Sequence, residues 1–223
     1  FSLLTLMQFE LANGHFDKVI ELGPEIVNLA LIEGNVMAIA NANLFMGNAY
    51  AAQNLPGLML PYYKRAKNIL LDLNRKDLIA NIDYNIGATY IESNEYEKAL
   101  YYLEKVEEQN IVDDYTKFLL YHKLGLLHLG LNSKSLAKDY IGKAKKTLNT
   151  IKENYYIHSL MVEVAELQLE EDYLDNPIYL EKLEELCKIL DREYPKGFYL
   201  FHKRMLEQLY CHRRQYKKAY LIK

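Results

Sequence analysis

The chain has 223 residues, half of them hydrophobic, with only 10 Gly and 5 Pro and a formal net charge of −3 from 27 basic and 30 acidic side chains. That balance excludes a bulk electrostatic footprint for nucleic acid, and the scarcity of helix breakers beside abundant Leu, Ala, Glu and Lys sets an all-α fold class. No apolar run approaches the ~20 residues of a membrane span, and the two cysteines, Cys187 and Cys211, make neither a CxxC pair nor a disulfide framework, so a reducing cytoplasm is the expected home.

The first residues, Phe1 to Met7, are apolar but carry no basic leader and no small-residue cleavage site, and they read as a helix end. The chain starts without Met and stops at Lys223 inside a helical pattern, so a fragment of a longer protein is expected. Turn chemistry and small residues divide it into about six helical pairs, over 1–33, 35–74, 77–108, 113–150, 153–192 and 196–223, stacked as one domain. In the first, Asn13-Gly14-His15 is a turn, Pro24 is expected to restart a helix, and Gly34 to end it. In the second, Asn54 to Gly57 turns the chain before Tyr62, Tyr63, Ala66, Ile69 and Leu70. The third is the clearest: Ile82, Ile86 and Tyr90 share one helical face, Ser93-Asn94-Glu95 turns, and Tyr96, Ala99, Leu103 and Val106 share the next. Asp113 or Asp114 caps the fourth, which turns at Gly130 to Ser133; the fifth is divergent around Asp175-Asn176-Pro177; the sixth turns between Tyr210 and Tyr216. Gly47, Gly87 and Gly125 fall at matching places, 40 and then 38 residues apart, where two helix backbones approach closely.

The stretch from Asn81 to Val106, with Gly87, Tyr90, Tyr96 and Ala99 at the small and aromatic packing positions, resembles a tetratricopeptide (TPR) repeat, and the resemblance extends over nearly the whole chain. It implies a right-handed superhelix whose first helices line a concave groove. Counting from the glycines, that groove is expected to carry Asn41, Leu44, Asn48 and Ala51, then Asn81, Tyr84, Asn85 and Ala88, then Leu119, His122, Lys123 and Leu126. Less certain register adds Ser159, Val162, Glu163 and Glu166, and then Phe201, Arg204 and Gln208. Asparagine is a poor residue for helix interiors, yet five fall within two adjacent first helices. A side-chain amide offers a donor and an acceptor, so it suits the backbone of an extended peptide; solvation of a polar face is the plainer reading of the same residues, and Asn43 is expected to face a neighbouring helix.

TPR co-chaperones clamp a terminal carboxylate with Lys and Asn on one first helix, Asn on the next and cations on a third; Asn48, Asn85 and Lys123 resemble three of those positions, while Leu44 and Leu119 replace cations. The long repeats and paired asparagines resemble the peptide-binding domains of Gram-positive peptide-pheromone receptors, the RRNPP group. That resemblance implies a short apolar signalling peptide as ligand, a homodimer, and an output domain preceding Phe1. The alternative is a constitutive scaffold or co-chaperone-like adaptor that joins two proteins. Tyr199, Phe201, Leu206, Leu209 and Tyr210 are expected to form an apolar face for a second protomer. The six histidines make no HExxH and no Cys/His cluster, and no GxxxxGK[ST], GxGxxG or GxSxG occurs, so neither an enzyme nor a cofactor or metal site is expected. No nucleic acid or membrane contact is expected of this segment.

Overall fold

The structure, a computed structural model, describes residues 2–109, 113–151, 156–193 and 200–222, the side chains of 200 and 201 excepted. Every regular element among them is an α-helix: α1 (Leu3–Ala12), α2 (Phe16–Glu33), α3 (Val36–Ala52), α4 (Pro56–Asp72), α5 (Lys76–Glu92), α6 (Tyr96–Glu107), α7 (Asp114–Gly130), α8 (Lys134–Leu148), α9 (Tyr156–Leu167), α10 (Pro177–Glu193), α11 (Leu200–His212) and α12 (Tyr216–Ile222). None is long and apolar enough to cross a membrane. They divide into two compact units, α1 to α6 and α7 to α12.

One turn is used repeatedly. Gly14, Gly34, Asn54, Asn74 and Asn94 all have positive φ, between 51° and 75°, and stand twenty residues apart; Asn132 and Arg214 repeat it in the second unit. In each, the N–H after the left-handed residue reaches back five residues, as from His15 to Glu10 (2.9 Å), Arg75 to Leu70 (2.9 Å), Glu95 to Tyr90 (2.8 Å) and Ser133 to His128 (2.8 Å). That is the Schellman closure, which satisfies carbonyls a helix end would leave bare; Gly and Asn tolerate the left-handed backbone it needs. Asp113 caps α7 by accepting from the Thr116 N–H, 2.8 Å.

The beginning of α2 differs from expectation. The helix starts at Phe16, straight after the Gly14 turn, and runs through Pro24. Proline lacks an N–H and removes one intrahelical bond, but Pro24 is exposed, so water can serve the carbonyl it leaves, while Val19, Gly23, Ile26 and Ala30 hold the helix by their burial.

Helices pair where a side chain would obstruct. A Cβ on Gly87 would lie 2.7 Å from Leu103 Cγ and 3.3 Å from the Ala99 carbonyl oxygen; one on Gly125 would lie 2.6 Å from Ile141 Cγ1, and one on Gly47 would overlap the Tyr63 ring. Each glycine therefore faces the residue sixteen positions on, across one turn. In the first unit Met7, Val19, Ile26, Ala42 and Met46 form a core around α2 and α3. In the second, Phe118, Leu126, Ile141 and Leu148 pack with Val162 and Ala165, and Leu160, Leu183, Leu186 and Leu209 form a further cluster. Each such large apolar side chain, fully buried, contributes about 1.5–3 kcal/mol. Leu206, Leu209 and Tyr210 belong to this last cluster, not to an exposed dimer face; Tyr199 and the Phe201 side chain lie outside the described residues.

Candidate functional site

The site is built on α3 and α5, and Gly47 sets its geometry. With no Cβ there, the buried Tyr63 ring of α4 lies against α3, and its hydroxyl donates to Asn48 Oδ1, 2.6 Å. The Asn85 amide, on α5, donates to the same oxygen, 3.1 Å. Both lone pairs of the Asn48 carbonyl are thereby used, and the two amides are held against each other. The Asn48 amide hydrogens and the Asn85 side-chain carbonyl make no hydrogen bond among the described residues. Burial pushes the Tyr63 phenol well above its ordinary pKa, so it stays a donor at any physiological pH. Thr89 steadies the next turn by donating to the Asn85 carbonyl of the main chain, 2.8 Å. Sequence reasoning missed Tyr63 as part of this network; its place sixteen residues after Gly47 is the signal that could have found it.

Around this pair, Asn41, Leu44 and Tyr84 are half-buried and Asn81 is exposed. Asn43 is buried and donates to the Ile39 carbonyl, 2.8 Å. Ser93 links two turns by donating to Asn54 Oδ1, 2.9 Å.

The three candidates on α7 belong to the second unit and have different surroundings. Leu119 and Lys123 are half-buried, but His122 is only 1% exposed. It stacks on Phe118 with ring centroids 6.1 Å apart, and Phe118 in turn meets the His158 ring edge-on at 5.2 Å. Neither His122 nitrogen has a hydrogen-bond partner among the described residues. Burial, aided by the Lys123 charge, drives its pKa down to about 3, so the ring is neutral. His122 is therefore a core residue and not part of an open groove wall. Val162 is likewise core, while Glu163 pairs with Lys182 (3.0 Å) and Glu166 with Lys145 (2.8 Å); Arg204 and Gln208 are exposed.

The described residues contain no cluster of three or more His, Cys, Asp and Glu able to share a metal ion. Cys187 is buried, which pushes its thiol up to about 12 and leaves it unreactive as a thiolate. What the α3–α5 wall can do chemically is present fixed amide donors and an acceptor beside half-buried apolar surface. No known family model matches the chain, and no curated protein matches it either.

Proposed function

We propose that the chain is a peptide-binding helical-repeat domain of the TPR kind, its pairs stacked as a right-handed superhelix, and that it takes a short apolar peptide along the wall made by α3 and α5. The observation that carries this reading is the Tyr63–Asn48–Asn85 network, in which a buried phenol orients two amides so that a donor and an acceptor stay open. A peptide main chain needs that pair of partners, and prior orientation lowers the entropy lost when it binds. Leu44 and Tyr84, half-buried beside the amides, supply apolar contact for its side chains. The biological setting we propose is a cytoplasmic peptide-signalling receptor of the RRNPP type, acting as a homodimer on transcription.

The test is mass spectrometry of peptides retained by the chain from an extract of its own organism, beside an Asn48→Ala/Asn85→Ala variant. One apolar peptide held by the wild type and released by the variant is the expected result. Retention of whole proteins, unaffected by the double substitution, would replace this reading with a constitutive scaffold and move the binding surface away from α3 and α5.

A further inference from the structure

The internal repeat exposes a second site, on the opposite side of α3 from Asn48. Ile39, Asn43 and Met46 stand about 180° around that helix from Asn48, and they floor a cavity of about 530 Å³ between α2 and α4. The same groove recurs forty residues on, where Asp83 takes the place of Asn43 and Lys67 the place of Val27. There it is filled: the Lys67 ammonium donates to both oxygens of the buried Asp83 at 2.6 Å. In the first groove the corresponding wall residue is Val27, which ends short, and the floor amide stands in for the carboxylate.

Besides the exposed amides of Asn28 and Asn68, two polar groups line that cavity. Asn43 is 3% exposed, and its amide nitrogen is committed to the Ile39 carbonyl, which fixes which end of the side chain is oxygen. Its Oδ1 accepts from no group among the described residues and is not sealed from solvent, so it faces the cleft as an acceptor that water or a ligand N–H can reach. Arg65 is the one charged residue lining the cavity; its guanidinium sits over the Tyr62 ring at 5.6 Å and makes no ion pair among the described residues. The remaining lining is mostly apolar. A concave, mainly apolar cleft with a few directed polar groups is what a small-ligand site requires.

We infer that this cleft binds an apolar carboxylate carrying one N–H donor, the carboxylate on Arg65, the N–H on Asn43 Oδ1, and the apolar body over Ile39, Met46 and Tyr62. N-acylated amino acids and the C-terminal residues of apolar peptides share this chemistry. The site is independent of the α3–α5 wall, since its groups lie on the other side of α3. A guanidinium over an aromatic ring is held for a planar carboxylate, and a ligand N–H takes the place of water on the Asn43 amide oxygen.

The test uses the whole chain with ¹³C-methyl methionine, Met46 assigned through Met46→Leu, and N-octanoylglycine as probe. A saturable shift of the Met46 methyl is expected, weakened at least ten-fold in Arg65→Gln and at least ten-fold with the methyl ester of the probe. Val27→Lys/Asn43→Asp, which copies the Lys67–Asp83 pair into this groove, should abolish the shift. Should that double variant fail to fold, Arg65→Gln alters only an exposed side chain and still decides. Leu-Leu-Leu with a free carboxyl terminus identifies the source: tighter binding than N-octanoylglycine indicates a peptide end, weaker binding a small acyl compound. No saturable shift with either acid, or binding undiminished in Arg65→Gln, overturns the proposal.

Discussion

Leu44 and Tyr84 in the first unit occupy the same register as His122 in the second, 40 and then 38 residues apart, yet the first two are half-buried and the third is 1% exposed. The helices around them are built alike, with a glycine three residues on and the same left-handed turn beyond. The difference comes from side chains further along the chain. In the second unit His158, on α9, packs with Phe118 over the His122 side of α7, and the Met161 backbone lies beside the His122 ring. In the first unit the face shared by Leu44 and Tyr84 keeps its access to water. Repeat register is local, whereas the cover over a repeat face is set by the identity of residues tens of positions away.

Acid should break this comparison most. Burial holds His122, His158 and His202 below the ordinary imidazole range, and Lys123 adds to the effect at His122 and His202. In the unfolded chain these rings take up protons near pH 6.5, while folded His122 stays neutral down to about 3. The unfolded state therefore binds more protons between those values, so stability of the second unit is complete above pH 6.5 and is lost as pH falls toward 3. At about 1.4 kcal/mol per unit, His122 alone contributes roughly 5 kcal/mol of that loss. Hydrogen exchange at pH 8 and pH 4.5 should show α7 and α9 losing protection ahead of α3 and α5. His122→Phe, which keeps the stack on Phe118 and removes the titrating ring, should leave stability at pH 8 near its wild-type value and flatten the acid loss. An unchanged acid profile in that variant would place the sensitive groups elsewhere.

Gly87→Leu should break the comparison from the other side, and by less. Its side chain would enter the space of Leu103, which is buried completely, and press on the Ala99 carbonyl, a backbone atom that cannot move alone. Overpacking of this kind costs on the order of 3 kcal/mol. Urea denaturation with exchange readout should show α5 and α6 opening first while α7 to α9 keep their protection at pH 8. A destabilisation below about 1 kcal/mol would mean that α5 and α6 separate cheaply and that Gly87 is no packing constraint.

Much of this architecture was legible in the residues. Gly47, Gly87 and Gly125 disclosed the pairing and its period because close backbone approach demands a missing Cβ. The turns at Gly14, Gly34 and Asn94 stood where Gly, Asn and Ser cluster. The asparagines were harder, since one residue type serves two purposes: Asn54, Asn74, Asn94 and Asn132 supply left-handed turns, whereas Asn48 and Asn85 bond to each other across two helices. Pro24 was misleading because its preference for a first turn is only statistical, and an exposed position within a long, well-buried helix tolerates it. The burial of His122 could not be read from α7 at all, since Phe118 alone does not enclose it and His158 lies 36 residues on. Tyr63 escaped for a related reason: its ring looked like core, and its hydroxyl found Asn48 only because Gly47 let the ring approach.

The smallest expected effects separate the two amides of the α3–α5 wall. Asn48→Ala removes the oxygen that receives the buried Tyr63 hydroxyl, and an orphaned buried donor costs about 1–3 kcal/mol. Asn85→Ala removes the second donor to that oxygen and the Asn85 contact to the Tyr63 hydroxyl but leaves the Tyr63–Asn48 bond in place, so about 1 kcal/mol or less is expected. Tyr63→Phe should cancel most of the Asn48→Ala penalty when the two are combined, because the donor then no longer needs a partner. Thermal melts of the two single variants and this double variant form the cycle. An Asn85→Ala penalty equal to that of Asn48→Ala would mean that Tyr63 relies on both amides, and the open acceptor assigned to Asn85 would then be engaged within the fold and closed to a peptide.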